Sequence, residues 1–266
     1  MTIVPGGDAR PLAEAGEGSS VGAGPSAASP GVPLTRSAAG AAVTPRLVEV
    51  RRNLLKENDR QARELRERLH AAGTGCISLV SSPGAGKTAL LERVLTGLGE
   101  RLAMGVLVGD LATDNDAARL QRAAGEGGRV LVRQINTGTL CHLEARMISA
   151  ALEGWDLQAV DLLLIENVGN LVCPSSYDLG EDLRLVLASV TEGEDKPLKY
   201  PTIFNTADAC VITKLDLAAA CACDLGLLRR NIAEARPGIR VFEVSARTGA
   251  GMEELLEAFA ERTRAR

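Results

Sequence analysis

The chain has 266 residues, a net charge of −4 at neutral pH and six aromatic residues (three Phe, two Tyr, one Trp). With no block of basic residues and so few stacking side chains, binding to nucleic acid by charge and stacking is excluded as a main activity. No apolar run approaches the roughly 20 residues of a membrane span, and Met1-Thr2-Ile3-Val4-Pro5 lacks a basic stretch leading into an apolar core. A cytoplasmic chain is therefore expected, with its six cysteines reduced and serving as core residues or metal ligands.

Residues 1–45 are mostly Ala, Gly, Pro, Ser, Val and Thr without a periodic apolar face, which predicts a disordered tail ahead of one folded domain over 46–266. Leu47, Val48, Leu54, Leu55, Ala62, Leu65 and Leu69 lie at helical spacing among charges, which predicts one or two amphipathic helices over 46–70. The apolar run Cys76 to Val80 then leads into Ser81-Ser82-Pro83-Gly84-Ala85-Gly86-Lys87-Thr88 and a helical stretch beginning at Ala89. Strand, small-residue loop and helix in this order form a P-loop, whose backbone N–H groups and helix N-terminus surround phosphate oxygens. Gly84, Ala85 and Gly86 let the backbone close on an anion, Lys87 reaches the β- and γ-phosphates, and the Thr88 hydroxyl can ligate Mg²⁺. Ser81 stands where the usual pattern has its first Gly.

Further strands are expected at Gly105 to Val108, Val130 to Ile135, Leu162 to Ile165, Leu185 to Val190, Ala209 to Ile212 and Val241 to Val244. Helices are expected near Asp114 to Ala124, His142 to Ala151, Leu225 to Ala235 and Met252 to Phe259. This alternation predicts an α/β fold, a mostly parallel sheet with flanking helices, and places ligands beyond the carboxyl ends of the strands.

The loops after those strands carry the chemistry. Asp110, at the end of the second strand, either holds Mg²⁺ or positions the attacking water, while Asp114 or Asn115 can cap the next helix. Glu166 ends a fully apolar run, where a carboxylate needs an electrostatic reason, and Gly169 follows where an N–H can sense a γ-phosphate. Lys214 and Asp216 follow the strand at Ala209. A carboxylate there accepts from guanine N1–H and the N2 amino group, which adenine does not offer, and the Lys214 stem can lie across the base. Ser245 and Ala246 follow the last strand, where the Ala246 N–H can donate to guanine O6. The nucleotide is therefore expected to be GTP or GDP.

Cys141-His142 is expected to open a helix and Cys173 to follow Glu166 in a loop, both on this same edge, and two thiols with an imidazole suit Zn²⁺ or Ni²⁺ equally. Three ligands leave the sphere incomplete, and a two-fold dimer could supply the rest. His70 ends a charged helix and is expected to be solvated; Cys76 and Cys210 read as buried small hydrophobes. Cys221 and Cys223 are either an auxiliary metal pair or an accident of a helix start. A P-loop kinase or ATPase with structural cysteines would share the first motif but lacks a use for Asp216. A metal store would need more than three ligands per chain.

Together the P-loop, Gly109 to Asp116, Asn136-Thr137-Gly138 with Cys141-His142-Leu143, Glu166 to Pro174 and Glu192 to Pro201 resemble the HypB/UreG family of SIMIBI-class P-loop GTPases, on its hydrogenase nickel incorporation branch. The likeness spans about Val48 to Ala260, and Ser175 after Pro174 stands where the urease-accessory relative has His. The resemblance implies a slow GTPase that delivers Ni²⁺ during [NiFe]-hydrogenase maturation. It also implies a GTP-promoted homodimer sharing Cys141, His142 and Cys173, and partners in a HypA-like zinc protein and the hydrogenase large-subunit precursor. Lys87, Asp110 and Glu166 would be the catalytic set, with Thr88, Asp110 and Glu166 around Mg²⁺. Two departures stand out: residues 1–45 contain neither Cys nor His, so no N-terminal nickel store is expected, and Thr213 replaces the usual Asn of the guanine motif, with lower nucleotide affinity expected.

Overall fold

The computed structural model describes residues 45–110, 115–125 and 129–264. The tail expected over 1–45 lies, except for Pro45, outside the described residues, as does Asp114. Seven strands form one sheet: β1 (Gly75–Ser81), β2 (Met104–Asp110), β3 (Val130–Asn136), β4 (Leu162–Glu166), β5 (Leu183–Ser189), β6 (Ala209–Thr213) and β7 (Arg240–Glu243). Their order is β3-β2-β4-β1-β5-β6-β7, and every neighbouring pair is parallel. The helices are α1 (Pro45–Ala72), α2 (Lys87–Leu98), α3 (Asn115–Ala124), α4 (Ala145–Ala151), α5 (Lys196–Lys199), α6 (Pro201–Asn205), α7 (Leu225–Ala235) and α8 (Met252–Arg264). None of the described helices is long and apolar enough to cross a membrane.

The central strand explains why the sequence reads as an uninterrupted apolar run. Alternate side chains point to opposite faces, and both faces are covered. Ile77 and Leu79 pack with Leu90, Leu91 and Val94 of α2 and Phe259 of α8. Cys76 faces the other way, onto Leu65 and Leu69 of α1 and Leu163 and Ile165 of β4. Val80 joins Val186, Phe204, Cys210 and Ile212 over α6 and α7. Cys76 and Cys210 are thus buried, as expected, and burial pushes the Cys210 thiol well above its ordinary pKa. Each of the buried leucines contributes roughly 1.5–3 kcal/mol by leaving water.

The expected N-terminal amphipathic segment is a single 28-residue helix. Only its later half packs on the sheet: Ala62, Leu65 and Leu69 are buried, whereas Val48 and Leu54 are 47% and 60% exposed. His70, at its end, is more than solvated: its Nε2 lies 2.7 Å from Asp182 Oδ1, and the other oxygen of that carboxylate accepts the Cys76 N–H. The expectation that Cys141-His142 opens a helix is corrected, because α4 starts only at Ala145. Glu144 is extended (φ −121°, ψ 153°), and side-chain carbonyls capture the nearby amides: Asn167 Oδ1 accepts from Leu143 N and Asn58 Oδ1 from Ala145 N. An amide held this way is not offered to a helical turn.

Candidate nucleotide and metal site

All seven strands run the same way, so every loop singled out above emerges along one edge. β1 sits between β4 and β5, where the strand order reverses, and the P-loop follows it there. Gly84 (φ +74°) and Gly86 (φ +99°) adopt left-handed backbone that residues with a Cβ rarely take. Lys87 is buried at the start of α2 and donates to Ser81 Oγ at 3.0 Å, so the serine in place of the usual glycine parks the lysine. Burial lowers the Lys87 pKa, with Glu166 opposing the shift.

Glu166 is 4% exposed, and its Oε1 accepts the Thr88 hydroxyl at 2.8 Å while Oε2 has no hydrogen-bond partner. Desolvation raises its pKa to about 7, although Lys87 and Thr88 pull the other way. Asp110 ends β2 level with Asn136, its carbonyl accepting the Thr137 N–H at 3.0 Å. A cleft of about 460 Å³ lies among Gly84, Lys87, Thr88, Asp110, Glu166 and Gly169. An orphaned buried carboxylate oxygen beside a hydroxyl and a second carboxylate is the hard-oxygen donor set that Mg²⁺ takes, so the residues fit that ion. Gly169 is required here: a Cβ on it would stand 2.9 Å from Pro83 Cα.

The raised Glu166 pKa has a consequence for stability. The folded chain binds a proton more tightly than the unfolded one, whose carboxyl titrates near its ordinary value of 4.5. Stability is therefore full below about pH 4.5 and declines as the pH rises through about 7, by about 3 kcal/mol in all. Glu166→Gln should raise the melting temperature of nucleotide-free, Mg²⁺-free protein at pH 8 but not at pH 4.5. A gain equal at both pH values in thermal unfolding would show that burial does not govern this carboxyl.

A second pocket of about 230 Å³ opens across α2 from the first, lined by Gly86, Ala89, Lys214, Asp216, Ala246 and Arg247 among others. Asp216 Oδ1 accepts the Ser245 hydroxyl and Oδ2 accepts Arg247 Nε at 2.8 Å, and these two donors hold its pKa below the usual carboxylate range. Ser245 is fully buried behind the carboxylate, so it orients Asp216, whereas Ala246 and Arg247 line the pocket. Sequence reasoning missed Arg247, which only its pairing with Asp216 brings forward. The Lys214 stem passes Gly86: a Cβ there would lie 3.8 Å from Lys214 Cε. Thr213, the departure from the guanine motif, donates to the P-loop carbonyl of Ala85 at 2.7 Å. It therefore retains a brace between β6 and the phosphate loop.

Cys141, His142 and Cys173 come together, with one ligand atom from each within 4.8 Å of the others, and form the one such group of three among the described residues. The two sulfurs are 2.9 Å apart, and sharing a proton with Cys173 raises the Cys141 pKa. With both sulfurs deprotonated, thiolates this close would repel unless a cation lay between them. His142 is 8% exposed, packs on Tyr177 with ring centroids 3.9 Å apart, and makes no hydrogen bond at Nε2, which lies 3.7 Å from Glu144 Oε1. Burial lowers its pKa, which favours the neutral, ligating imidazole. Cys221 and Cys223 belong to no such group; Cys221 is exposed, and Cys223 lies beside Glu194.

Asparagines that were not predicted as functional fix this cluster. Asn167 holds Leu143 N at 3.1 Å, Asn170 Nδ2 donates to the Cys141 carbonyl at 3.3 Å, and its Oδ1 accepts from Val172 N. From α1, the buried Asn58 donates to the Asp178 carbonyl at 2.8 Å and accepts from Ala145, joining the loops on both sides of the cluster. Gly109 lets β2 meet Leu143, whose side chain would lie 2.8 Å from a Cβ at that position.

A parallel sheet with a phosphate loop on its central strand and a carboxylate on the neighbouring strand defines a P-loop nucleotide-binding protein. Residues 76–243 match the CobW/HypB/UreG nucleotide-binding domain. The chain belongs to the CobW/HypB/UreG family, on its HypB branch. The hydrogenase maturation factor HypB of Rhizobium leguminosarum bv. viciae is 45% identical over 208 residues, 78% of this chain and 68% of its own. The crystal structure of HypB from Helicobacter pylori in complex with nickel aligns with a TM-score of 0.72 and 39% identity over 78% of this chain and 95% of that one. FtsY from Mycoplasma mycoides, 15% identical with a TM-score of 0.51 over 75% of each chain, shares the SIMIBI fold alone.

Proposed function

We propose that this chain is a GTP-hydrolysing nickel metallochaperone acting in [NiFe]-hydrogenase maturation, in which nucleotide state controls dimerisation and metal binding. The observation that carries the reading is the segment Glu166 to Cys173. Its first residue bonds the P-loop Thr88, Gly169 lies against Pro83, Asn167 and Asn170 hold both ends of Cys141-His142-Leu143, and its last residue belongs to the group of two thiols and an imidazole. A shift of Glu166 or Gly169 on binding a γ-phosphate would be passed along these bonds to the sulfurs.

In this mechanism Asp216 selects guanine, Ser245 and Arg247 orient its carboxylate, and the P-loop amides with Lys87 bind the phosphates. Thr88, Asp110 and Glu166 would hold Mg²⁺, which neutralises phosphate charge when bound. Glu166 leaves Thr88 for that role, and Asp110 either joins it or orients the attacking water. Nickel is cargo: one ion would be shared by Cys141, His142 and Cys173 of two protomers in a GTP-promoted homodimer, a set that Zn²⁺ also satisfies. A HypA-like zinc protein and the hydrogenase large-subunit precursor are the partners this reading proposes. The names of the relatives, hydrogenase maturation factors, support the same assignment.

The test is nickel titration of the full chain with a non-hydrolysable GTP analogue or with GDP, with mass followed by light scattering. Dimer mass and tighter nickel binding are expected with the analogue. Monomer mass and equal nickel affinity in both states would remove the coupling.

A further inference from the structure

The phosphate cleft contains three carboxylates, Asp110, Asp116 and Glu166, and two cations, Lys87 and Arg119. Lys87 has its place on the phosphate loop. Arg119, on α3, has no part in the scheme above, yet it lines the same cleft and its charge lowers the pKa of Glu166. Its guanidinium is held on two sides. Nε and Nη2 donate to the two carboxylate oxygens of Glu92 on α2 at 3.1 and 2.9 Å, and Nη1 lies 3.6 Å from Asp116, one turn back on α3.

Glu92 is one helical turn beyond Thr88, on the same face of α2, so the pair sits next to the hydroxyl that contacts Glu166. The side chains of Arg119 and Glu92 are 42% and 29% exposed, and an ion pair this open to water is a weak tie, readily exchanged for a stronger anion. A triphosphate brings several negative charges into a cleft already rich in carboxylates. One buried lysine does not balance them. A planar, permanently charged fork matches phosphate oxygens in the bidentate way it now matches Glu92.

We propose that Arg119 is a catalytic arginine of the hydrolytic site, latched by Glu92 in the nucleotide-free chain and transferred to the γ-phosphate when triphosphate binds. The inference rests on the GTPase reading above. In the reaction the water oxygen bonds the γ-phosphorus as the bond to the β,γ-bridging oxygen breaks. The electron pair of that bond leaves on GDP, and the water proton passes to the released phosphate. Arg119 stabilises the charge that builds on the bridging and γ-oxygens, as an arginine supplied in cis does in other P-loop hydrolases.

Single-turnover GTP hydrolysis by the full chain, with GDP affinity and thermal unfolding measured alongside, tests this. Arg119→Ala is expected to slow hydrolysis roughly 10²-fold, with GDP affinity nearly unchanged. Arg119→Lys keeps the charge, loses the fork, and is expected to slow it as well. Glu92→Gln weakens the latch and is expected to raise the rate, the opposite sign. A merely structural pair would instead lose thermal stability equally in Arg119→Lys and Glu92→Gln, with rates unchanged or falling together, and either result would overturn the proposal. Absence of hydrolysis in the unaltered chain would overturn the GTPase reading and this inference with it; unaltered hydrolysis in the arginine variants would overturn the inference alone.

Discussion

Cys173→Ala protein is expected to lose nickel binding by more than the roughly 10–100-fold that loss of an outer-shell partner costs, because a thiolate in contact with the ion is removed. The sulfur of Cys173 is 2.9 Å from that of Cys141, and the cluster offers three candidate ligands among the described residues. Its removal leaves one thiol and one imidazole per chain, so a dimer offers two sulfurs where the unaltered pair offers four. GDP affinity should stay unchanged, since Cys173 lies outside both nucleotide pockets. Isothermal titration with nickel and with GDP reads both values from one preparation. Wild-type nickel affinity in Cys173→Ala protein would remove this cysteine from the site. Tyr177, stacked on His142, is a useful internal reporter, because its fluorescence should respond to metal in the parent chain and not in the variant.

Asp216→Asn is expected to weaken guanine nucleotide binding by roughly 10²-fold or more. On the proposed reading the carboxylate accepts from guanine N1–H and the N2 amino group, and bonds to a charged acceptor are the strong ones. Asparagine offers one oxygen and one NH₂, so its NH₂ faces the amino group of guanine, donor against donor. Xanthine has a carbonyl at that position, and the variant should therefore prefer xanthosine to guanosine nucleotides. The surroundings sharpen the test. Ser245 and Arg247 both donate to Asp216, and Arg247 Nε loses its acceptor when the amide group turns toward it. Equilibrium competition among GDP, XDP and ADP separates the outcomes: unchanged preference for GDP would mean that Asp216 does not read the base, and preference for ADP would favour a P-loop kinase or ATPase.

Much of the fold was legible because its strands are buried on both faces. Continuous apolar runs such as Leu162 to Ile165 mark a covered parallel sheet, and all seven expected strands appear within two residues of their predicted bounds. Local chemistry was legible too. Gly-Lys-Thr after a strand and a carboxylate closing an apolar run stand out by residue type alone, and the structure brings Lys87, Thr88 and Glu166 into one cleft. The helix expected at His142 was misplaced because the periodicity of the following residues gave no sign that Asn167 and Asn58, 25 residues ahead and 84 behind, would take its first amides.

The sequence by itself determined the order of elements, the phosphate-loop motif and the residue types offered at the proposed guanine and metal sites, since each depends on residues adjacent in the chain. Only the tertiary structure decided that Cys141 and Cys173, 32 positions apart, meet at their sulfurs, that Thr213 braces Ala85, and that Arg119 rests on Glu92 inside the phosphate cleft. These contacts depend on strand order, in which β4 lies between β1 and β2. Side chains distant in sequence become neighbours when parallel strands end at one edge, and no local pattern encodes which of them touch.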